Sequence, residues 1–359
     1  MKHKTIGNIT IPAIGQGSGG YGGKDEEIVR VLRRGITLGM NFIDTAEAYQ
    51  NGHSEELVGQ AILGMRDQVI IATKFSPEHA DYRGVISAAE NSLRHIGTDV
   101  IDLYQIHWPN SRVPMEDTFR ALADLHRRGL VRHVGVSNFN MRDLKEAEQV
   151  SSLPIVSNQV EYNLVERGIE EELLPYHEKR NILTIAYSPL RRGEANKDVL
   201  TRIADMYGIS LSGVILAWLV SHRTVMPIPM TTNIEHLVEN IRAGEIELAR
   251  EHIAEIEEAF RPEIIEILPS RIRVIPSPHE RVYTTLAEAT ENKLKMTPGP
   301  ADIAEEITSG RGILKPLQVV PTADAGGTYL YDLVQGRMRY WGWVIAKGFD
   351  APIKVCVRK

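Results

Sequence analysis

The chain lacks the features that mark several large classes of protein. It has one cysteine, Cys356, among 359 residues, which excludes an internal disulfide and any zinc site built from cysteines. No apolar run approaches the roughly 18 residues that cross a membrane. The basic N-terminus is not followed by the apolar core of a signal peptide. These absences predict a cytoplasmic protein with no membrane partner and no metal.

Neither sign of charge is in large excess. The 41 Lys and Arg residues nearly balance the 47 Asp and Glu residues, for a net charge of −6. Because nucleic-acid-binding proteins need a basic patch or stripe, this balance does not favour nucleic acid as a partner. A small molecule is the expected ligand.

Strand-like and helix-like patterns alternate through residues 1–260. Apolar residues recur at three- and four-residue spacing in helical segments such as 27–38 and 118–128, as in amphipathic helices. Eight strand-like segments alternate with these helices in about 235 residues, which predicts an α/β protein with a (β/α)₈ TIM barrel. A last helix at 248–260 would close the barrel. The predicted strands are 13–17, 41–45, 68–74, 100–107, 131–137, 155–160, 182–188 and 224–229.

The alternation stops near Arg261 and Pro262, and residues 263–359 predict a second, small α+β domain. Its predicted helices begin near Thr297 and Gly336, and a variable stretch follows its first strand. Three aromatic residues beside Arg337 and Arg339 are expected on its surface: Tyr340, Trp341 and Trp343. The predicted strands are 264–275, 317–320, 329–333 and 353–358.

Four residues of the barrel suit proton transfer coupled to hydride transfer. Asp44, Lys74 and His107 each end a predicted strand, and Tyr49 follows Asp44 by five residues. In such barrels the strand C-termini form the active site. A lysine ammonium favours the phenolate of a nearby tyrosine, an aspartate holds the lysine, and a histidine orients a carbonyl. The set predicts a general acid for carbonyl reduction or a general base for alcohol oxidation, with the hydride supplied by a cofactor.

A different dehydrogenase fold is the alternative. Gly15, Gly17 and Gly20 form a G-x-G-x-x-G pattern after an apolar run, and Asp44 ends the next strand. That combination is typical of a Rossmann dinucleotide site, in which Asp44 would bind the adenosine ribose. However, Tyr21 and the residues after it delay the next helix to about Asp25, and the later strand-end residues would have no role.

The first 260 residues resemble an aldo-keto reductase. The matching motifs are residues 41–46 with Tyr49, 72–74, 102–108, 135–139, 158–163, 186–190, and 228–229 followed by Glu239 and Asn240. This resemblance implies a catalytic tetrad of Asp44, Tyr49, Lys74 and His107. It also implies an NAD(P)H-dependent interconversion of a carbonyl compound (an aldehyde, a ketone or a sugar) and an alcohol, with Tyr49 as the proton donor.

The same resemblance implies a path for the cofactor. Ser137, Asn138 and Gln159 would bind the nicotinamide carboxamide, and Tyr187 would stack on the ring. Ser188, Leu190 and Arg192 would line the pyrophosphate, and Glu239 and Asn240 would hold the adenine. Tyr21, Trp108 and Asn110 are candidates for the substrate pocket.

Cofactor choice depends on the adenosine end. Strongly phosphate-selective members of this family carry a lysine and an arginine where this chain has Met230 and His236. Thr231 and Thr232 can still donate hydrogen bonds there. NADP(H) is expected from the resemblance, and NAD(H) is the alternative.

Residues 263–359 resemble the ParB/sulfiredoxin-like fold through residues 267–272, 303–307, 312–319 and 326–339. The resemblance implies a phosphate or nucleotide site at Gly336, Arg337 and Arg339. The acidic residue and the cysteine of the family's active members are absent from that loop. A nicotinamide- or nucleotide-binding sensor is therefore a second functional class. A third expectation is a domain that packs on its own barrel or joins two copies in a homo-oligomer.

Overall fold

The computed structural model describes residues 2–20, 22–191, 196–276, 282–296, 299–310, 316–322 and 327–358. The described chain divides into two compact units, a larger one that ends at Ala259 and a smaller one from Phe260 onward.

The larger unit contains a short hairpin and an eight-stranded parallel sheet. The hairpin strands are β1 (His3–Ile6) and β2 (Ile9–Pro12). The parallel strands are β3 (Gln16–Gly17), β4 (Phe42–Asp44), β5 (Ile70–Phe75), β6 (Ile101–Ile106), β7 (Val131–Ser137), β8 (Ile155–Glu161), β9 (Leu183–Tyr187) and β10 (Val225–Pro227).

Helices alternate with these strands, as the apolar spacing predicts. They are α1 (Asp25–Thr37), α2 (His53–Ile62), α3 (Tyr82–Ile96), α4 (Met115–Arg127), α5 (Met141–Val150), α6 (Leu173–Arg180), α7 (Lys197–Tyr207), α8 (Leu211–Ser221), α9 (Ile234–Ala243) and α10 (Arg250–Ala259). Among the described residues no single helix is long and apolar enough to cross a membrane. The pair α7 and α8 meets that test only jointly, across a bend of 87°.

The eight strands pair in chain order from β3 to β10. Backbone hydrogen bonds from Gly15 N to Pro227 O (3.0 Å) and from Gly17 N to Pro229 O (3.1 Å) join the first strand region to the last. These bonds close the sheet, and the predicted barrel is confirmed. The Rossmann alternative is wrong, because that fold needs a sheet whose strand order reverses.

The hairpin closes the amino-terminal end of the barrel. Ile11 of β2 is fully buried with Phe42, the first residue of β4, and with Leu103 and Met226 inside the barrel. Lys4 of β1 donates to the carbonyl oxygens of Val220 (2.8 Å) and His222 (2.6 Å) at the end of α8. The opposite end of the barrel, where the strands finish, is left for the site.

In its described residues, the smaller unit has a mixed five-stranded sheet and three helices. The strands are β11 (Glu263–Ile267), β12 (Ile272–Val274), β13 (Leu317–Pro321), β14 (Tyr331–Gln335) and β15 (Ile353–Val357), in the order β11-β15-β13-β14-β12. The helices are α11 (Leu286–Thr290), α12 (Pro300–Thr308) and α13 (Arg337–Lys347). α11 lies in the stretch that the sequence leaves as variable.

Two expectations for this unit are wrong. The single strand predicted at 264–275 is broken by a short turn at Pro269–Arg271, because proline has no N–H to continue a ladder. Its two halves, β11 and β12, lie at opposite edges of the sheet.

The aromatic residues of α13 are also not surface residues. Tyr340 and Trp341 are 2% and 4% exposed and belong to the core of this unit. The Tyr340 hydroxyl donates to Pro269 O (3.0 Å) and the Trp341 indole N–H to Tyr283 O (2.8 Å). Trp343 is half-buried, and its indole donates to Ala351 O. Since each indole or phenol has a backbone acceptor inside the unit, these rings serve packing.

Candidate active site

The ammonium of Lys74 is the centre of a buried cluster where β4 and β5 end. Its Nζ lies 2.8 Å from Asp44 Oδ2, 2.7 Å from the carbonyl oxygen of Thr45 and 3.3 Å from the Tyr49 hydroxyl. Lys74 is fully buried and Asp44 is 1% exposed. Burial by itself lowers the pKa of Lys74, but the attraction of Asp44 and Tyr49 outweighs it, so the pKa is raised. Lys74 is therefore a charged ammonium aimed at Tyr49.

His107 also contacts the tyrosine. Its ring meets the Tyr49 ring edge to face, with centroids 5.7 Å apart and planes at 81°. Burial, followed by the positive charge of Lys74, lowers the pKa of His107 to about 3. The imidazole is thus neutral near pH 7 and can donate one N–H without a second positive charge beside Lys74.

These groups open onto a cavity of about 530 Å³ at the carboxyl ends of the strands, within the usual range for small-molecule sites. Lys74 does not line this cavity itself, but its partners Tyr49 and Asp44 do. Predicted site residues make up most of the wall: Asp44, Tyr49, His107, Trp108, Ser137, Asn138, Gln159, Tyr187, Ser188 and Leu190.

A hydrogen-bonded wall lies along one side of this cavity. The Tyr187 hydroxyl donates to Asn138 Oδ1 (3.0 Å), and the Asn138 amide donates to His107 O (3.1 Å) and to Ser137 Oγ (3.0 Å). Asn138 and Ser188 have positive φ values of 62° and 50°. Left-handed backbone at non-glycine residues is uncommon and often marks functional sites.

Several residues expected at the adenosine end lie outside the cavity wall. Thr231 Oγ1 accepts from Asn233 N (3.0 Å), His236 is exposed, and Asn240 is buried. Glu239 contributes to a separate surface cavity with Ser210 and Arg242, and Thr232 is half-buried.

Of the three substrate-pocket candidates, Trp108 lies in the cavity wall and Asn110 does not. The Asn110 amide donates to Pro77 O at 2.7 Å and so holds the neighbouring loop. The Trp108 side chain in the wall is 47% exposed. Tyr21 and Arg192 lie outside the described residues.

The cavity also includes residues that the sequence did not single out for it. Arg191 lies in the wall and forms an ion pair of 2.7 Å with Glu161. The segment that follows the last barrel strand contributes Ile228 and Pro229. Their position just after β10 was the available signal, since every strand end of a barrel faces the same side.

Gly19 lies against the tyrosine ring. A Cβ at this position would be 3.0 Å from Cζ and 3.4 Å from the hydroxyl of Tyr49. Glycine therefore allows the loop after β3 to pass directly over the Tyr49 phenol.

Residues 13–261 match the Aldo/keto reductase family. The chain belongs to this family. It is 38% identical to the methylglyoxal reductase YeaE of Escherichia coli over 274 residues, which are 72% of this chain and 96% of the relative. As an aldo/keto reductase, it is an NAD(P)-dependent oxidoreductase that acts on carbonyl groups.

Solved structures agree with this assignment. A thermostable aldo-keto reductase in complex with the inhibitor epalrestat is 40% identical, with a TM-score of 0.70 over 72% of this chain and 100% of that one. The aldo/keto reductase from Klebsiella pneumoniae in complex with NADP and acetate is 36% identical, with a TM-score of 0.69 over 73% of this chain and 96% of that one.

The residues predicted to bind phosphate in the smaller unit surround the start of α13. Gly336 precedes the helix with a φ of 99°. Arg339 Nη1 donates to Pro316 O (3.2 Å) and Arg337 Nη1 to Val334 O (3.3 Å). The partner of Arg337 thus lies in β14, and the partner of Arg339 directly precedes β13.

Proposed function

We propose that residues 1–260 reduce a small carbonyl compound with Tyr49 as the proton donor. The single observation that carries the proposal is the Lys74 ammonium 3.3 Å from the Tyr49 hydroxyl at the cavity wall. As the phenol gives its proton to the carbonyl oxygen, negative charge develops on the tyrosine oxygen. A charged lysine already in place stabilises that charge without reorganisation.

Asp44 and His107 have supporting roles in this proposal. The Asp44 carboxylate and the Thr45 carbonyl accept two of the three N–H donors of Lys74, so the third is directed at Tyr49. The neutral imidazole of His107 donates to the substrate oxygen and orients the carbonyl beside the phenol.

The residues of the cavity wall fit the nicotinamide end of the cofactor. Amide and hydroxyl groups of Asn138, Gln159 and Ser137 can bind a carboxamide, and the Tyr187 ring provides a flat surface beside them. Bound NAD(P)H supplies the hydride. NADP(H) is proposed first, because a relative was solved with NADP. NAD(H) stays open, since Met230 at 40% exposure offers no positive charge for a 2′-phosphate.

For the substrate we propose a small, polar carbonyl compound of the methylglyoxal type. The similarity to a methylglyoxal reductase supports this choice, as does a wall in which polar groups surround Tyr49. A small sugar is the other candidate of similar polarity.

The smaller unit, proposed as residues 263–359, has a ParB/sulfiredoxin-like fold in this proposal. Support comes from its separate core, its mixed sheet and the left-handed Gly336 before α13. Gly336, Arg337 and Arg339 would bind a phosphate group there. A cytoplasmic location and a homo-oligomer formed through this unit remain predictions.

A panel assay tests the proposed function. The full chain is mixed with NADPH or NADH and with methylglyoxal, a small keto-sugar or a steroid ketone, and loss of dihydronicotinamide absorbance is followed. We expect turnover with methylglyoxal or the sugar and little with the steroid. Cofactor binding without turnover on any carbonyl would favour the sensor alternative instead.

A further inference from the structure

The first turn of α2 holds two adjacent polar side chains that are shielded from solvent. Ser54 is 1% exposed and Glu55 is fully buried. α2 begins at His53, directly after the turn Tyr49–Gly52 that holds the tyrosine. Polar groups are buried only where hydrogen bonds compensate the lost water. The hydrogen-bond partners of Ser54 and Glu55 lie beside, or belong to, the segments that hold or contact Tyr49 and Lys74.

Glu55 connects to the strand that holds the lysine. Its Oε1 accepts the Thr73 hydroxyl at 2.6 Å, and Thr73 directly precedes Lys74 in β5. Because side chains alternate along a strand, Thr73 faces the helices while Lys74 faces the barrel interior. The bond therefore fixes β5 on the face opposite to the barrel interior. It acts on the residue directly before Lys74, and so on the position of Lys74 in the site.

The second oxygen of Glu55 connects to the turn that holds the tyrosine. Oε2 lies 3.0 Å from His95 Nδ1, and the His95 ring lies against Gly52, where a Cβ would be 2.6 Å from its Cε1. Gln50, Asn51 and Gly52 have successive positive φ values of 52°, 54° and 89°. A turn in this conformation persists only when its surroundings hold it.

Ser54 connects to the loop over the phenol. Its hydroxyl lies 2.8 Å from Ser18 Oγ and accepts from Thr45 Oγ1 at 3.1 Å. Ser18 precedes Gly19, which passes over Tyr49, and the Thr45 carbonyl accepts from Lys74. Ser54 is thus connected to Tyr49 through the loop at Ser18 and Gly19, and to Lys74 through Thr45.

We infer that Glu55 is a positioning residue that sets the separation of Lys74 and Tyr49 through Thr73 and His95, with Ser54 holding the glycine loop over the phenol. This inference rests on the proposed catalytic roles of Tyr49 and Lys74. It assigns Glu55 no contact with substrate or cofactor. A small misplacement of reacting groups lowers the rate of the chemical step without removing the binding site.

Substitutions at Thr73 test the connection with little change in volume. Thr73→Val removes the hydroxyl and keeps the shape, whereas Thr73→Ser restores the donor to Glu55. Thr184→Val is the matched control, because Thr184 is also fully buried on a barrel strand and its hydroxyl lies 2.8 Å from His177 Nδ1. Glu55→Gln is added as a variant that keeps an acceptor for Thr73.

The readouts are the single-turnover rate of hydride transfer, the Kd for NADPH and the Tm of the full chain. We expect Thr73→Val to slow hydride transfer by about tenfold or more, with the Kd unchanged, and Thr73→Ser to stay near the wild-type rate. Thr184→Val should lower the Tm as much as Thr73→Val while leaving the rate within about twofold.

Three outcomes distinguish a failure of this inference from a failure of the proposed function. If Tyr49→Phe is inactive but Thr73→Val transfers hydride at the wild-type rate, the positioning role is wrong and the proposed function stands. Equal rate losses in Thr73→Val and Thr184→Val would also overturn it, since general loosening would then explain both. If Tyr49→Phe keeps the wild-type rate, the proposed function itself fails.

Discussion

The side-chain amide of Gln159 donates to Oδ1 of Asp44 at 2.7 Å, while Lys74 binds the other oxygen of the same carboxylate. Gln159 also lies in the cavity wall, where we propose that it binds the nicotinamide. One buried carboxylate therefore joins the proposed proton-donating cluster to the proposed cofactor wall. A change at Gln159 is expected to alter both cofactor affinity and the rate of the chemical step.

Tyr49→Phe should abolish turnover and leave the cofactor bound. Loss of a general acid lowers rates by about 10²- to 10⁴-fold, while the hydrogen bonds of Asn138 and Tyr187 in the proposed cofactor wall do not involve the phenol hydroxyl. Steady-state kcat and fluorescence titration of NADPH measure the two effects. Retention of most of the rate on every reducible carbonyl would remove Tyr49 from the proposed role.

Gly19→Ala should slow the reaction by on the order of tenfold, because the new methyl would press on the Tyr49 ring and misplace the phenol. Gly22→Ala is the control, since a Cβ there meets no atom of the other described residues within 4 Å. Parallel measurements of kcat and Tm decide the outcome. Equal kinetics for the two variants would show that the ring accommodates the methyl.

Acid should destabilise the fold partly through His107. The unfolded imidazole binds its proton near pH 6.5, but the folded one does so only near pH 3. Between these values the unfolded chain holds more protons, so stability falls as the pH falls, by up to about 1.4 kcal/mol per pH unit from this group. Below about pH 3 both states are protonated and the loss is complete.

The comparison with His107→Asn isolates this contribution to stability. Urea unfolding of both proteins from pH 7 to 4 should show a shallower decline in the variant. Parallel declines would mean that His107 is more accessible to water than its burial implies.

Met230→Lys combined with His236→Arg should raise the preference for NADPH over NADH. Each change adds a cation near the proposed 2′-phosphate position, and a hydrogen bond to a charged group contributes about 1.5–3 kcal/mol. Titration of both cofactors with the wild type and the double variant gives the affinity ratio. An unchanged ratio would place the adenosine end elsewhere.

The smaller unit should bind phosphate-bearing ligands through α13 if its proposed role is right. Nucleoside triphosphates are titrated into the full chain and into Arg337→Ala combined with Arg339→Ala, with calorimetry as the measurement. We expect weak binding that the double variant loses. Salt-sensitive binding of DNA with no nucleotide affinity would instead support a nucleic-acid partner.

The barrel was predictable because it repeats one unit and because its strand ends converge. Asp44, Lys74 and His107 are far apart in sequence, yet each ends a predicted strand, and the fold brings such ends together. Tyr49 was predicted from its position five residues after Asp44 in the sequence. Their pairing with Gln159, at the end of a strand on the far side of the barrel, follows the same rule.

Contacts that depend on how a helix is rotated were not predictable in this way. Nothing in the spacing of Glu55 or Gly19 indicates that one lies behind Lys74 and the other over Tyr49. Tyr340 and Trp341 looked like surface residues beside two arginines, but α13 turns them into the core. Pro269 indicated a break in the strand predicted at 264–275, but the apolar residues around it favoured one continuous strand.

The position of β15 has a consequence for how the protein is made. This strand, which ends at Val357, is inserted between β11 and β13 and does not lie at an edge. The smaller unit therefore cannot complete its sheet until residues 353–357 have left the ribosome. The barrel strands, which pair with their neighbours in chain order, can assemble while synthesis continues. During that interval β11 has no partner on its inner side, and its exposed backbone groups are open to pairing with other chains.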